Sequence, residues 1–109
     1  EKYLLFLRSE YQERKDLMQR SLEKYMPAPI HWNEPKGGFY IWIKLPSYMK
    51  SSQLFKTSLE QGVVFVTGRT FDPDNNKDDR LRLSFSNMPK NEIEKGVQIL
   101  SRIISEHLL

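Results

Sequence analysis

Arg80-Leu81-Arg82-Leu83-Ser84-Phe85-Ser86 is the stretch whose reading decides the fold. Leu81, Leu83 and Phe85 fall on one side of a period-2 pattern, and Arg82, Ser84 and Ser86 fall on the other. That pattern predicts a strand with one face in a core and one arginine held outward on a rigid support. A guanidinium so placed is suited to grip a carboxylate through two parallel hydrogen bonds. The alternative is a solvated strand face, since most arginines are exposed. The surroundings of the stretch decide between the two.

Upstream, the segment from Thr67 to Asp79 is polar and rich in Gly, Pro, Asp and Asn, which predicts a loop pinned by Phe71. Before it, Val63-Val64-Phe65-Val66 reads as a short buried strand. Ser51 or Ser52 can cap a helix that runs to Gln61, with Leu54, Phe55, Ser58 and Leu59 as its buried side and Gly62 as its stop. Phe39 to Leu45 reads as a strand of high β propensity between Gly37-Gly38 and Pro46. Its two faces are both apolar, Phe39, Ile41 and Ile43 on one and Tyr40 and Trp42 on the other, which predicts an inner strand or one with a side packed on a partner domain. Ile30-His31-Trp32 is a further short extended piece.

Residues 1 to 25 read as one long helix, because Leu4, Leu7, Tyr11, Met18, Leu22 and Tyr25 make one apolar stripe and Pro27 and Pro29 follow. Leu5 and Phe6 widen the stripe near its start. Glu13, Arg14, Lys15, Asp16, Gln19 and Arg20 read as the wet face. Downstream of the opening stretch, Asn91 with Glu94 offers a capping box, or Pro89 stands at the first helical position. Ile93, Val97, Leu100, Ile104 and Leu108 form the stripe of that last helix. The predicted class is α+β, in the order α-β-β-α-β-β-α. A small, mostly antiparallel sheet with helices on one face buries every apolar side.

The chain has 109 residues, enough for one domain. Its charge is +3, from 17 basic and 14 acidic residues, a mild excess spread along the sequence. With no cysteine, disulfides and thiolate metal sites are excluded, and a reducing cytoplasm is the expected location. No apolar run approaches the roughly 20 residues of a membrane span, so no membrane partner is expected. The sequence begins at Glu1 already inside a helical pattern, so it is expected to be part of a longer chain.

Chemistry of the chain's own is hard to find. His31 and His107 are far apart and lack partners at metal-ligand spacing. Asp72, Asp74, Asn76 and Asp78 alternate like a calcium loop, but Lys77 and Leu83 stand where that loop needs Gly and Glu, so a solvated loop is the better reading. Gly37-Gly38 precedes a strand rather than a helix and lacks the further glycine of a dinucleotide site. No serine or threonine sits in a nucleophile motif, and no lysine lies in an apolar run that would depress its pKa.

Together the pieces resemble the C-terminal small domain of the fold-type I, pyridoxal-phosphate-dependent aminotransferases of class I/II. Tyr11, Arg14, Lys15, Asp16 and Met18 look like that family's interdomain helix. Pro35-Lys36-Gly37-Gly38-Phe39-Tyr40-Ile41-Trp42, closing with Leu45-Pro46, looks like its Pro-x-Gly-Gly-x-aromatic strand. Leu54-Phe55, Gly62-Val63, Phe65, Gly68 and Phe71 look like its next helix, strand and loop. Arg82-Leu83-Ser84-Phe85-Ser86, with Ile93 and Gly96-Val97, looks like its final strand and helix. Thr67 departs from the proline common before the glycine.

The resemblance implies that Arg82 grips a substrate α-carboxylate, and that Arg80 does not match. It implies pyridoxal 5'-phosphate in the intact parent and none held by residues 1–109 alone, because the Schiff-base lysine and phosphate-binding residues belong to a large domain. It implies an amino-acid or 2-oxo-acid ligand reached with that domain, and a homodimeric parent. Two parents are compatible: a free aminotransferase, or a GntR-family regulator of the MocR type, which would bind DNA only through an upstream winged-helix domain. A small RNA-binding module is a third reading. It rests on Lys36-Gly37-Gly38-Phe39-Tyr40-Ile41, where glycine replaces a required aromatic.

Overall fold

Alternating burial decides the architecture. In a computed structural model that describes residues 1–33, 40–68, 78–85 and 88–109, Leu81, Leu83 and Phe85 are buried, and Arg82 and Ser84 face the other way. The elements are α1 (Lys2–Tyr25), β1 (His31–Trp32), β2 (Tyr40–Lys44), α2 (Ser51–Glu60), β3 (Val66–Thr67), β4 (Arg80–Ser84) and α3 (Lys90–Glu106), in the predicted order. The strands form one sheet in the order β1-β2-β4-β3, with every neighbouring pair antiparallel. Strands β2 and β4 are therefore central, in register from Tyr40 opposite Ser84 to Lys44 opposite Arg80.

The helices cover one face of this sheet. Ile41 and Ile43 from β2 and Leu81 and Leu83 from β4 share a core with Met18 and Leu22 of α1, Leu54 of α2, and Ile93, Val97, Leu100, Ile103 and Ile104 of α3. Each such side chain contributes roughly 1.5–3 kcal/mol by leaving water. Among the described residues, no helix is long and apolar enough to cross a membrane, and no group of three or more potential metal ligands occurs.

Several expectations need correction. The α1 stripe is buried only at Met18 and Leu22, while Leu4 and Leu7 are exposed together with Tyr3, Leu5 and Phe6. A 24-residue helix is about 36 Å long, and the rest of the fold underlies only part of it. Tyr11, whose ring lies 5.6 Å from that of Phe85, is a contact near the limit of that cover.

In α2, Leu59 is exposed, and the inner side is Leu54, Ser58 and the half-buried Phe55, whose ring meets Phe65 edge-on. The strand expected over residues 63–66 pairs only at Val66–Thr67, and Val64 is exposed. The cause lies in the end of α2. Gly62, at φ +87°, donates to the Leu59 carbonyl, and the Val63 N–H returns to that of Ser58. This Schellman closure commits the backbone to the helix end before it can join the sheet.

Neither expected start of α3 forms. Pro89 occupies the N-cap with no side-chain cap bond, and helix begins at Lys90. Leu108 is half-buried at the rim of the core. Lys36, Gly37, Gly38 and Phe39, the loop residues Phe71, Asp72, Asp74, Asn76 and Lys77, and Ser86 lie outside the described residues.

Candidate functional site: the outer face of the central strands

Strand β4 is braced at both ends. At its start, the Leu45 N–H donates to the Asp79 carbonyl at 2.7 Å and the Ser51 N–H to the Asp78 carbonyl at 2.6 Å. The Asp78 carboxylate accepts from Ser51 Oγ at 2.9 Å, Ser52 Oγ at 2.5 Å and the Ser52 N–H at 3.1 Å. Asp78 thus caps α2 from across the chain. The predicted serine cap does not form, because both serines lie inside the helix and Lys50, at the N-cap, makes no side-chain bond. Nor is Asp78 part of a solvated loop, since it is 6% exposed. A carboxylate at a helix N-terminus also meets the positive end of the helix dipole.

Past the other end of β4, Arg14 Nε of α1 donates to the Met88 carbonyl at 3.0 Å. Arg14 also bonds Glu10 at 2.7 Å, and Lys90 bonds both Glu10, at 2.8 Å, and Glu13. The Lys90 and Arg14 hydrogen bonds hold the Glu10 carboxyl below its usual value. Hydrogen bonds to Glu10 and Glu13 raise that of Lys90.

Between these anchors, Arg82 leaves the sheet on the face opposite the helices and is half-buried. Trp42 stands opposite it on β2 and Val66 on β3. Its guanidinium carbon lies 4.4 Å from the centroid of the Tyr40 ring, within cation–π range. A guanidinium stacked through one plane is restricted in the directions its N–H groups can take. The next row of the same face carries Arg80, with Lys44 opposite it on β2 and His31 opposite Lys44 on β1.

His107 is not brought to this face; it follows α3, its Nδ1 2.9 Å from the Ile103 carbonyl oxygen. A cleft of 480 Å³ between the end of α2 and α3, lined by Gly62, Ser84, Met88 and Gly96 among others, has no Arg82 wall. Sequence reasoning missed the Asp78 cap. Its only local trace is an acid just before the strand.

Residues 1–100, which include β4 and Arg82, match the sequence profile of the family described as aminotransferase class I and II. The chain belongs to that family. It is 32% identical over 98 residues to the 2-aminoadipate transaminase of Thermus thermophilus, covering 90% of this chain and 25% of that protein. It is 28% identical over 100 residues to an uncharacterized HTH-type transcriptional regulator of Bacillus subtilis, YdfD, covering 92% of this chain and 20% of that protein. Among solved structures, the kynurenine aminotransferase of Pyrococcus horikoshii superposes with a TM-score of 0.87 at 31% identity, over 94% of this chain and 25% of that one. The chain spans about a quarter of the length of the curated aminotransferases it matches first. Aminotransferase membership and the α+β fold are thereby established together.

Proposed function

We propose that this chain is the C-terminal small domain of a longer pyridoxal-phosphate-dependent aminotransferase, and that Arg82 holds the α-carboxylate of its amino-acid or 2-oxo-acid substrate. The observation that carries the reading is the outward Arg82 guanidinium, stacked on Tyr40 and rooted in a central strand. Family membership and the quarter-length match support it.

The cofactor, when bound, supplies the electron sink for exchanging an amino group. No lysine among the described residues is buried, so these residues do not fit the cofactor by themselves, and its contacts belong to the rest of the longer protein. What this chain contributes is grip and orientation. Two parallel N–H bonds from Arg82 fix the carboxylate, and hydrogen bonds to a charged group are worth roughly 1.5–3 kcal/mol. Movement of this domain with the carboxylate held would exclude water from the reacting end. The exposed apolar turns Tyr3 to Leu7 support a covering large domain. The intact protein is proposed to be a cytoplasmic homodimer.

The test is made in the intact protein, by following the cofactor absorbance as amino acid is added. Arg82→Ala weakens amino-acid binding at least about tenfold, or 1.4 kcal/mol. Arg82→Lys keeps the charge and loses the planar fork, and falls between. Unchanged affinity in Arg82→Ala removes Arg82 from the site.

A second reading is favoured by the likeness to YdfD. In a MocR-type GntR regulator the same face would bind an effector amino acid, and an upstream winged-helix domain would bind DNA. The parent sequence before Glu1 discriminates: a basic winged-helix segment there decides for the regulator.

A further inference from the structure

We propose that Tyr40 is a positioning residue for Arg82: its ring aims the guanidinium, and losing the ring weakens carboxylate binding while the fold stays intact. The inference rests on the reading that Arg82 holds the α-carboxylate, and it adds a second residue to that grip. Three observations carry it.

The first is that core packing does not account for Tyr40. It is 40% exposed, and it belongs neither to the buried cluster nor to the half-buried side chains packed against that cluster. Among the described residues it is the one exposed large apolar side chain on a strand. The place its ring takes is therefore set by a contact outside the core.

The second is the geometry of that contact. Tyr40 stands opposite Ser84, and Arg82 stands opposite Trp42. Tyr40 and Arg82 are thus diagonal neighbours on one face of two paired strands, within reach of each other for long side chains. Ser84, directly opposite, is too short to cover the ring. The Tyr40 ring lies instead 4.4 Å from the Arg82 guanidinium carbon.

The third is charge. Arg80, the other arginine of β4, has the Asp79 carboxylate 4.0 Å away, whereas Arg82 has the face of a ring. An acid holds a guanidinium by neutralising it, and an incoming carboxylate must then compete with that acid. A ring holds it through the aromatic quadrupole and adds no counter-charge. It also removes directions that the side chain would otherwise give up on binding, so less affinity is lost to ordering.

The test uses the intact protein with its cofactor and follows the cofactor absorbance as ligand is added. The probes are L-norleucine and pentylamine, which share an amino group and a butyl chain and differ in the α-carboxylate. The ratio of their affinities isolates the carboxylate grip, and the unmodified protein favours norleucine by at least about tenfold. Tyr40→Leu lowers that ratio about three- to tenfold, the worth of a cation–π contact. Tyr40→Phe keeps the ring and holds the ratio within about twofold. Tyr40→Glu replaces the ring with a competing acid and lowers the ratio at least as far as Tyr40→Leu. In an Arg82→Ala background, Tyr40→Leu leaves the ratio unmoved, because the ring acts through the guanidinium.

A ratio untouched by Tyr40→Leu overturns the positioning role. So does an equal fall in Tyr40→Phe and Tyr40→Leu, which assigns the effect to the hydroxyl, and so does the same fall with and without Arg82, which assigns it to a direct contact or to general loosening. The two readings fail separately. If Arg82→Ala abolishes the preference while Tyr40→Leu keeps it, only the role of Tyr40 is lost. If Arg82→Ala keeps the preference, or the unmodified protein shows none, the Arg82 reading fails and the role of Tyr40 with it.

Discussion

Replacing Asp78 with alanine tests whether the start of β4 and the start of α2 are one unit. The substitution removes three acceptor contacts, to Ser51 Oγ, Ser52 Oγ and the Ser52 N–H. Loss of an N-cap acceptor costs about 1 kcal/mol. Ser51 is fully buried, so its hydroxyl, left without an acceptor, adds roughly 1–3 kcal/mol. The sum is about 2–4 kcal/mol. The Ser51 N–H to Asp78 carbonyl bond uses backbone only and survives, so the loss stays local. For urea unfolding of the 109-residue chain with a slope of about 1.5 kcal/mol/M, the midpoint falls by roughly 1.3–2.7 M. Asp78→Asn keeps one carboxylate-like oxygen and loses about half as much. An Asp78→Ala midpoint within about 0.3 M of the parent, or about 0.5 kcal/mol at that slope, refutes the long-range cap.

Gly62→Ala meets no atom within 4 Å of the new Cβ, so its cost is purely that of holding a side chain at φ +87°. That is about 1–2 kcal/mol, read as a lower denaturation midpoint. Glu10→Gln tests the tie between α1 and α3. The folded Glu10 carboxyl sits below its usual 4.5 because of Lys90 and Arg14, so its contribution is present above pH 4.5 and is lost as pH falls through the lower, folded value. Lys90, raised above its usual 10.5, contributes fully below that pH and loses its contribution as pH rises through the raised value. The Tm difference between Glu10→Gln and the parent therefore closes in acid and only narrows in alkali, where Arg14 still holds Glu10, and a gap constant across the acid range contradicts the pairing.

The period-2 reading of Leu81, Leu83 and Phe85 held because local alternation and burial coincide in a central strand. The same holds for the last helix at Ile93, Val97, Leu100 and Ile104, where one stripe faces one sheet. Asp78 was not legible, because its partners lie 26 and 27 positions away and no local pattern encodes the meeting. The exposed stripe at Leu4 and Leu7 was half legible. Periodicity identifies a helix face that wants cover, but not which body supplies the cover. Leu59 fails for a related reason: the Schellman turn at Gly62 carries the chain away before anything is laid over it. Arg82 was legible as an outward arginine, whereas its Tyr40 support needed the register of two strands to be known.

That register explains why the arginine proposed to grip the ligand is better placed on β4 than on a loop. A side chain that must order on binding loses affinity in proportion to the freedom it gives up. Here the backbone under Arg82 is hydrogen-bonded to strands on both sides, and Tyr40 already narrows the guanidinium's directions. The supports also reach beyond the sheet. Arg14 clasps the Met88 carbonyl and Tyr11 packs on Phe85, so the segment following Arg82 is tied to α1. The same helix continues about two turns past that tie, into the exposed turns at Tyr3 to Leu7. An unbroken helix does not bend freely. A shift imposed on those turns is therefore passed to Met88 and Phe85 rather than absorbed on the way. The position of Arg82, and with it the grip proposed for it, then varies with the position of whatever covers the first turns of α1.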